Sequence, residues 1–346
     1  MVRIPESPPL IKRVDKSDER PLWSVMIPVY NCLSYLKETL ESVLSQDTGD
    51  MFMQIEVIDD CSTDGDVQRV VHEVGKGRVS YFRQPQNCGS LRNFETCINR
   101  ARGHYVHLLH GDDRVKNGYY AEIEKLFALH PAAGAAFTDY RYINHVGEIL
   151  MIRNPKLPEQ GGIVSDFLTR SAKHQLLQPP AITVKRSVYE SLGSFYAVHY
   201  GEDWEMWTRI ASRFPIAYSP KPMAFYRVAH GIGITNNSFR SGQNIKDINK
   251  VISIIQNYLP EEIRSSSLRE AKNYYAVYSI RVANGLLGEN SQAAVKQVQG
   301  AWEMSKTFST LFWMLRFYIM YYSGIKTLFK GKVPEYFKIS RYMAPN

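Results

Sequence analysis

The stretch Leu108-Leu109-His110-Gly111-Asp112-Asp113 is an apolar segment that ends in two adjacent carboxylates. Residues 105–109 predict a buried strand, so both acids should lie just past its carboxyl end, where open α/β sheets bind their ligands. Paired carboxylates there are typical of a site for Mg²⁺ or Mn²⁺, which take oxygen ligands and share them with substrate phosphates. The alternative is a helix N-cap, a position that Asp also favours. The pair alone does not decide between the two interpretations.

Short apolar runs alternate with helical patterns around this stretch. Strand patterns occupy residues 24–29, 55–58, 79–82 and 105–109, and helical patterns occupy residues 36–44, 67–74 and 91–101. This βαβα order predicts an α/β fold with a mostly parallel sheet and helices on both faces. Residues 135–142 and 148–152 predict a hairpin that departs from this winding.

The pattern becomes helical from about Asn244. Residues 271–287 and 293–304 predict a helical hairpin. We therefore divide the chain into three parts. These are a polar, mobile N-terminal arm over residues 1–21, an α/β domain over residues 22–240 and a helical C-terminal region over residues 241–346.

The charge of the chain favours anionic partners. Among its 346 residues, 42 Lys and Arg outnumber 34 Asp and Glu, which gives a formal net charge of +8. Nucleotides and anionic lipid are suited to such a charge. No recognised nucleic-acid-binding motif accompanies it, so we expect no nucleic-acid partner.

Cysteine usage and the length of apolar runs bear on location. The four cysteines stand far apart with no C-x-x-C pair, which disfavours a structural zinc site. No apolar run reaches the roughly 18 residues that span a bilayer, and the N-terminus lacks the apolar core of a signal peptide. We therefore expect a cytoplasmic protein.

Four sequence motifs lie at the ends of predicted strands, and their order along the chain is informative. They are Pro28-Val29-Tyr30-Asn31, Asp59-Asp60-Cys61-Ser62-Thr63-Asp64-Gly65, Asp112-Asp113 and Gly201-Glu202-Asp203-Trp204. On an alternating α/β chain this order resembles the family 2 glycosyltransferases with the GT-A fold, over roughly residues 22–230. Asn87-Cys88-Gly89-Ser90-Leu91-Arg92-Asn93 and Phe225-Tyr226-Arg227 also fit that family. The resemblance implies an inverting glycosyltransferase with a GT-A domain over residues 22–240.

The resemblance also implies a nucleotide pocket. Asp60 matches the family acid that accepts a hydrogen bond from the base, and Pro28 and Tyr30 match the loop that packs around the nucleotide. Arg92 matches a basic position near the nucleotide. From the residues alone, Asp60 could instead form a turn, Pro28 could end its strand and Arg92 could be a solvated residue at a helix start.

Asp112 and Asp113 match the family's DxD motif for metal and sugar nucleotide. The resemblance implies that Asp113 coordinates Mn²⁺ or Mg²⁺ directly, while Asp112 contacts ribose or metal. Many members carry another acid where this chain has His110, so the division of roles stays open. A His-Gly segment at His230 implies a further metal ligand, with a surface residue as the alternative.

Asp203 in Glu202-Asp203-Trp204 matches the family's general base. It would take a proton from an acceptor hydroxyl as that oxygen attacks the anomeric carbon in a single inverting displacement. The alternative for both acids is charge stabilisation of a helix N-terminus, worth only about 0.3 to 1 kcal/mol.

The implied partners are a nucleotide-diphospho-sugar donor, with UDP as the expected nucleotide, and a hydroxyl of a saccharide or lipid-linked glycan. Such transfer would serve the synthesis of cell-surface polysaccharides or glycoconjugates. Two rival functions stay open. One is a catalytically silent glycosyltransferase-like scaffold subunit, and the other is a nucleotidyltransferase, which would release pyrophosphate rather than a nucleoside diphosphate.

The C-terminal segment over residues 311–322 is aromatic and is followed by Lys326, Lys330 and Lys332. Aromatic residues with basic ends suit a helix at an anionic membrane surface, which would make the protein peripheral at the inner face of the membrane. The alternative is packing within the chain's own domain or in a homo-oligomer.

Overall fold

The computed structural model describes residues 2–15, 19–152, 156–228 and 234–324. Its first half is a parallel sheet in the order β3-β2-β1-β4, formed by β1 (Trp23–Val29), β2 (Met53–Asp59), β3 (Ser80–Arg83) and β4 (Tyr105–Leu108). The crossovers carry α1 (Leu33–Leu44), α2 (Val67–Gly75) and α3 (Ser90–Arg100). Every residue of β1 is buried, as expected for a strand covered on both faces. The predicted strands and helices of this half are confirmed.

The sheet continues as β9-β6-β10-β5, and here its strands run in both directions. The elements of this half are β5 (Arg114–Val115), α4 (Tyr119–Leu129), β6 (Ala135–Ile143), β7 (Ile149–Ile152), β8 (Gly162–Ile163), α5 (Phe167–Ser171), β9 (Ile182–Lys185), α6 (Arg186–Leu192), α7 (Glu202–Ala211) and β10 (Ile216–Arg227). The β6–β7 hairpin is confirmed. The predicted mostly parallel sheet is confirmed for the first four strands and for the long β6–β10 pair. It is interrupted by β9, which inserts antiparallel to both β4 and β6.

Five further helices form the C-terminal region. They are α8 (Ile234–Ser241), α9 (Gln243–Ile255), α10 (Glu261–Leu286), α11 (Ser291–Met304) and α12 (Phe308–Ser323). The predicted α10–α11 hairpin is confirmed, although α10 starts earlier, directly after Pro260, with two acids in its first turn. Within the described residues, no helix combines the length and apolar character needed to cross a membrane.

Helix α7 lies between two hydrophobic cores. Met206 and Ile210 belong to the core of the α/β domain, whereas Trp204 belongs to the core of the helical region. The indole N–H of Trp204 also donates to the backbone oxygen of Ser171. Both cores therefore fix the position of α7, and with it the acids at its N-terminus.

The N-terminal arm packs on the domain, which corrects the expectation that it is mobile. The backbone oxygens of Pro5 and Pro9 accept hydrogen bonds from the N–H groups of Ala197 and Ser194, each at 2.9 Å. Ile11 is 5% exposed and joins the core of the α/β domain. The sequence pattern missed this packing because an extended segment held by backbone bonds needs no apolar periodicity.

Phe317 and Phe312 test the packing of α12. Phe317 is fully buried in the core of the helical region, so Phe317→Ala should lower the free energy of unfolding by about 3 to 5 kcal/mol. Phe312 on the same helix is 56% exposed, and Phe312→Ala should change it by less than about 0.5 kcal/mol. Urea unfolding followed by tryptophan fluorescence measures both variants. Equal losses would contradict the burial of Phe317.

Candidate active site

One cavity of about 970 Å³ brings together most of the residues that the sequence predicted for the site. It opens at the carboxyl ends of β1, β2 and β4 and is closed by the N-terminus of α7. The predicted site residues that line it are Pro28, Tyr30, Asp60, Asp112 and Asp203. The parallel half of the sheet thus places its ligand site where such sheets usually do.

Asp60 is held by the loop that precedes α3. Its Oδ1 accepts from the backbone N–H of Cys88 at 2.7 Å and from the Cys88 thiol at 2.9 Å. Its Oδ2 accepts from the side-chain amide of Asn87 and the backbone N–H of Gly89, both at 2.9 Å. Gly89 has φ +88°, a conformation that favours glycine, so the loop can turn its N–H onto the carboxylate.

His110, Asp112 and Asp113 form a cluster with metal-binding chemistry. One potential ligand atom from each lies within 4.8 Å of the other two. Asp113 is 1% exposed, and its Oδ2 has no hydrogen-bond partner among the described residues. Burial and the charge of Asp112 raise the pKa of Asp113 well above its usual range. A divalent cation fits this cluster, because it would satisfy the unpaired oxygen and offset the repulsion between the two carboxylates.

Arg227 braces the cluster. Its backbone N–H donates to Asp113 Oδ1 at 2.8 Å, and its Nε donates to the backbone oxygen of Asp112 at 2.8 Å. The guanidinium also pairs with Glu38 and lies 4.5 Å from the ring centroid of Tyr35. Arg227 is only 3% exposed, so it acts as an internal support rather than a surface charge.

Asp203 is the acid best placed to act as a base. Its Oδ1 accepts from the backbone N–H of Trp204 at 2.8 Å, and its Oδ2 accepts from the side-chain amide of Gln175. Gly201 precedes α7 with φ +89° and turns the chain into the helix. Burial raises the pKa of Asp203 to about 6, so the group is ionised at neutral pH yet basic enough to take a proton.

Three predicted residues are not among those that line the cavity: Asp113, which is buried in the cluster beside Asp112, Arg92 and His230. Arg92 points elsewhere: its Nε donates to the backbone oxygen of Val2 at 2.9 Å and its Nη1 pairs with Glu95. Arg3 of the N-terminal arm lines the cavity instead. His230 lies outside the described residues.

The sequence interpretation also missed several residues that line the cavity. His110 stood in the quoted motif, and its place beside two acids was a usable signal for a metal ligand. Gln175, His199 and Tyr278 also line the cavity, but they come from segments far apart in the chain. No local pattern marks them, because only the tertiary fold brings them to Asp203.

Comparisons with known proteins agree with this architecture. Residues 24–192 match the family model of Glycosyl transferase family 2. A Bacillus subtilis protein named "Putative teichuronic acid biosynthesis glycosyltransferase TuaG" is 31% identical over 125 residues, which are 35% of this chain and 47% of that protein. This chain thus spans about half the length of that relative.

Two solved structures share the fold. The crystal structure of S. aureus TarS residues 1–349 in complex with UDP-GlcNAc aligns with a TM-score of 0.65 at 17% identity, covering 82% of this chain and 80% of that one. The mannosyltransferase PcManGT from Pyrobaculum calidifontis, in complex with GDP-Man and Mn²⁺, aligns with a TM-score of 0.51 at 17% identity, covering 95% and 91%. At this identity the likeness establishes the GT-A fold.

Replacing Glu202 or Glu205 of α7 with Gln should change the stability of the protein in opposite directions. Burial and the charge of Asp203 raise the pKa of Glu202, so the folded protein binds more protons than the unfolded chain and loses stability as pH rises through that pKa. Glu202→Gln should therefore raise the melting temperature at pH 8 by about 2 °C, an advantage that vanishes near pH 4.

Glu205 is the matched control on the same helix. Burial raises the pKa of Glu205 too, but its carboxylate pairs with the buried Arg209 guanidinium at 3.0 Å, which Glu202 lacks among the causes of its shift. Glu205→Gln should therefore cost about 3 kcal/mol by leaving a buried cation without its counter-ion. Thermal melts across pH measure both variants. A loss of stability in Glu202→Gln at pH 8 would contradict the assigned repulsion.

Proposed function

We propose that this chain, whose residues 24–192 match the family 2 glycosyltransferases, moves a sugar from a nucleotide-diphospho-sugar to an acceptor hydroxyl with inversion. One observation carries the proposal. A single cavity is lined by Asp60 at one strand end, by His110 and Asp112 at another and by Asp203 on α7, and the buried Asp113 completes the cluster with His110 and Asp112. These are the groups needed to bind a nucleotide, offset a diphosphate and activate a hydroxyl.

The donor would bind along the strand ends. Pro28 and Tyr30 would pack around the nucleotide, and Tyr30 is 50% exposed, which leaves its ring available for stacking. Asp60 marks the base end of the pocket. We propose UDP as the nucleotide; the TarS complex holds UDP-GlcNAc, while PcManGT holds GDP-Man.

Asp113, Asp112 and His110 would hold Mn²⁺ or Mg²⁺. When bound, the cation would offset the negative charge that the diphosphate gains as it leaves. The unpaired, buried Oδ2 of Asp113 supports this assignment, since a buried carboxylate oxygen needs a partner. Arg227 would keep both aspartates oriented toward the ion.

Asp203 would act as the general base. The acceptor oxygen attacks the anomeric carbon while its proton passes to a carboxylate oxygen of Asp203, and the bond from that carbon to the diphosphate oxygen breaks. A single displacement inverts the anomeric centre, so no covalent glycosyl-enzyme forms. The bonds from Trp204 and Gln175 would hold the carboxylate in place during the proton transfer.

The acceptor would enter between the α/β domain and the helical region. Gln178 and His199 of the α/β domain and Tyr278 of α10 all line the cavity, which is therefore bordered by both parts of the chain. We propose a saccharide or lipid-linked glycan as the acceptor, in the synthesis of a cell-surface polysaccharide. The similarity to TuaG, which is named a putative teichuronic acid biosynthesis glycosyltransferase, supports this class of product.

The two rival functions predict different results. A silent scaffold would not need Asp60, Asp112 and Asp203 together in one cavity, so this arrangement favours the enzyme. A nucleotidyltransferase would release pyrophosphate, which a direct assay distinguishes from a nucleoside diphosphate.

Metal, donor and base can be tested in one experiment. The purified protein is incubated with Mn²⁺ and UDP-, GDP- or dTDP-sugars, and thermal shift and release of nucleoside diphosphate are measured. One donor should give a metal-dependent response that Asp113→Asn abolishes. Asp203→Asn should keep donor binding but lose transfer by about 10²- to 10⁴-fold, and wild-type transfer should fall below about pH 6.

Asp66→Asn is the matched control. Asp66 caps α2 away from the cavity by accepting from the backbone N–H of Arg69, and Asn caps as well as Asp does. Full transfer by Asp203→Asn would refute the assigned base. Silence of the wild type toward every donor would favour the scaffold function.

The outer face of α12 supports a location at an anionic membrane. Five large residues spaced alternately by four and three positions are between 54% and 84% exposed: Phe308, Phe312, Leu315, Ile319 and Tyr322. The chain beyond Gly324 carries five basic residues against one acid, Glu335. Two such tails would repel each other in a parallel dimer, whereas anionic lipid would attract them.

Flotation with vesicles tests this location. We expect the protein to float with vesicles that contain phosphatidylglycerol, but not with phosphatidylcholine alone or at high salt, because charge and apolar contact act together. Replacing Phe312, Leu315 and Ile319 with Ser should abolish flotation and leave the buried face of α12 intact. Unchanged flotation would refute the proposal, and a dimer that the same variant dissociates would assign the face to a second copy.

A further inference from the structure

The N-terminal arm reaches the candidate donor pocket through Arg3. Arg3 lines the same cavity as Asp60 and Asp112. Its guanidinium donates to the side-chain oxygen of Asn87, and the amide of Asn87 donates in turn to Asp60 Oδ2 at 2.9 Å. A hydrogen-bonded chain therefore joins the arm to the acid at the base end of the pocket.

The arm is fixed where it carries Arg3. The Pro5 oxygen is bonded to the N–H of Ala197, and the Val2 oxygen accepts from Arg92 Nε, both at 2.9 Å. The backbone on both sides of Arg3 is therefore hydrogen-bonded to the α/β domain. His199 lines the same cavity, and burial lowers its pKa while Asp247 raises it and the positive charge of Arg3 lowers it.

The Asp60 carboxylate already accepts from protein donors, so it can accept from a base only in exchange for one of them. Its two oxygens accept from four protein donors, on Asn87, Cys88 and Gly89, and an ionised carboxylate offers about four acceptor sites. A guanidinium has five N–H donors, and Arg3 is exposed, so it can donate to a ligand as well as to Asn87. The base end of this pocket is therefore rich in donors.

We propose that Arg3 is a nucleotide-binding residue whose guanidinium donates to a carbonyl oxygen of the base. This inference rests on the proposed function. Uracil, thymine and guanine carry such carbonyls, whereas adenine has none. The link from Arg3 through Asn87 to Asp60 assigns it to the base rather than to the diphosphate, which belongs to the His110-Asp112-Asp113 cluster.

Nucleotide titrations of the full chain test the assignment. Dissociation constants are measured by calorimetry with Mn²⁺ for UMP and UDP, GMP and GDP, and dTMP and dTDP. Arg3→Ala should weaken the preferred monophosphate and diphosphate equally, by about 10-fold, as expected for one lost charge-assisted hydrogen bond. Arg3→Lys should restore part of the loss. Arg13→Ala, which removes an exposed arginine of the same arm outside the cavity, should change nothing.

A double-mutant cycle separates direct contact from an effect through Asn87. In an Asn87→Ala background, Arg3→Ala should still weaken the monophosphate. If Arg3→Ala no longer weakened monophosphate binding in that background, Arg3 would act only by positioning Asn87, and the proposal would be overturned. Unchanged affinity in Arg3→Ala, or a loss confined to the diphosphate, would also overturn it. If the wild type itself bound none of the six nucleotides, the proposed function would fail together with this inference. A failure of the inference alone would instead leave wild-type binding intact.

Discussion

The backbone N–H of Arg227 donates to Asp113, and this bond ties the end of β10 to the turn after β4. The two strands are not neighbours in the sheet, so the bond joins its parallel half to its mixed half at the candidate metal cluster. The Arg227 guanidinium then reaches back to the oxygen of Asp112 and to Glu38 on α1. A buried arginine is costly unless it is paired, and the bonds of its guanidinium to Glu38 and to the Asp112 backbone lower that cost while its backbone N–H holds the Asp113 carboxylate.

The position of α7 imposes a second constraint. Because Trp204 and Met206 belong to different cores, the helix cannot shift without disturbing both. Its first turn is therefore rigid, and it concentrates Glu202 and Asp203 in a poorly solvated site. Their raised pKa values mean that holding both acids ionised lowers the stability of the folded protein. Such a loss of stability is common where a fold preorganises a functional site.

Much of the fold was predictable because its signals are local. The strand and helix periods before residue 109 and the acids after β4 can be interpreted without knowing distant contacts. The insertion of β9 was not predictable, since four residues whose partners are β4 and β6 carry no sign of direction. Gln175 and Tyr278 could not be predicted for the same reason. They line the cavity with Asp203 only because the tertiary fold brings distant segments together.

Arg92 and Arg3 show why a matching position does not fix a role. The resemblance implied a basic group near the nucleotide at Arg92, yet that side chain is bonded to the arm at Val2, and the arm presents Arg3 to the cavity. The charge that completes the cavity is thus supplied by a segment whose backbone is hydrogen-bonded to the α/β domain. If the donor bound only to the chain with its arm packed, donor binding would stabilise the packed arm. Because linkage is reciprocal, the packed arm would strengthen donor binding by the same free energy. Donor affinity and arm order would then be two measures of one equilibrium.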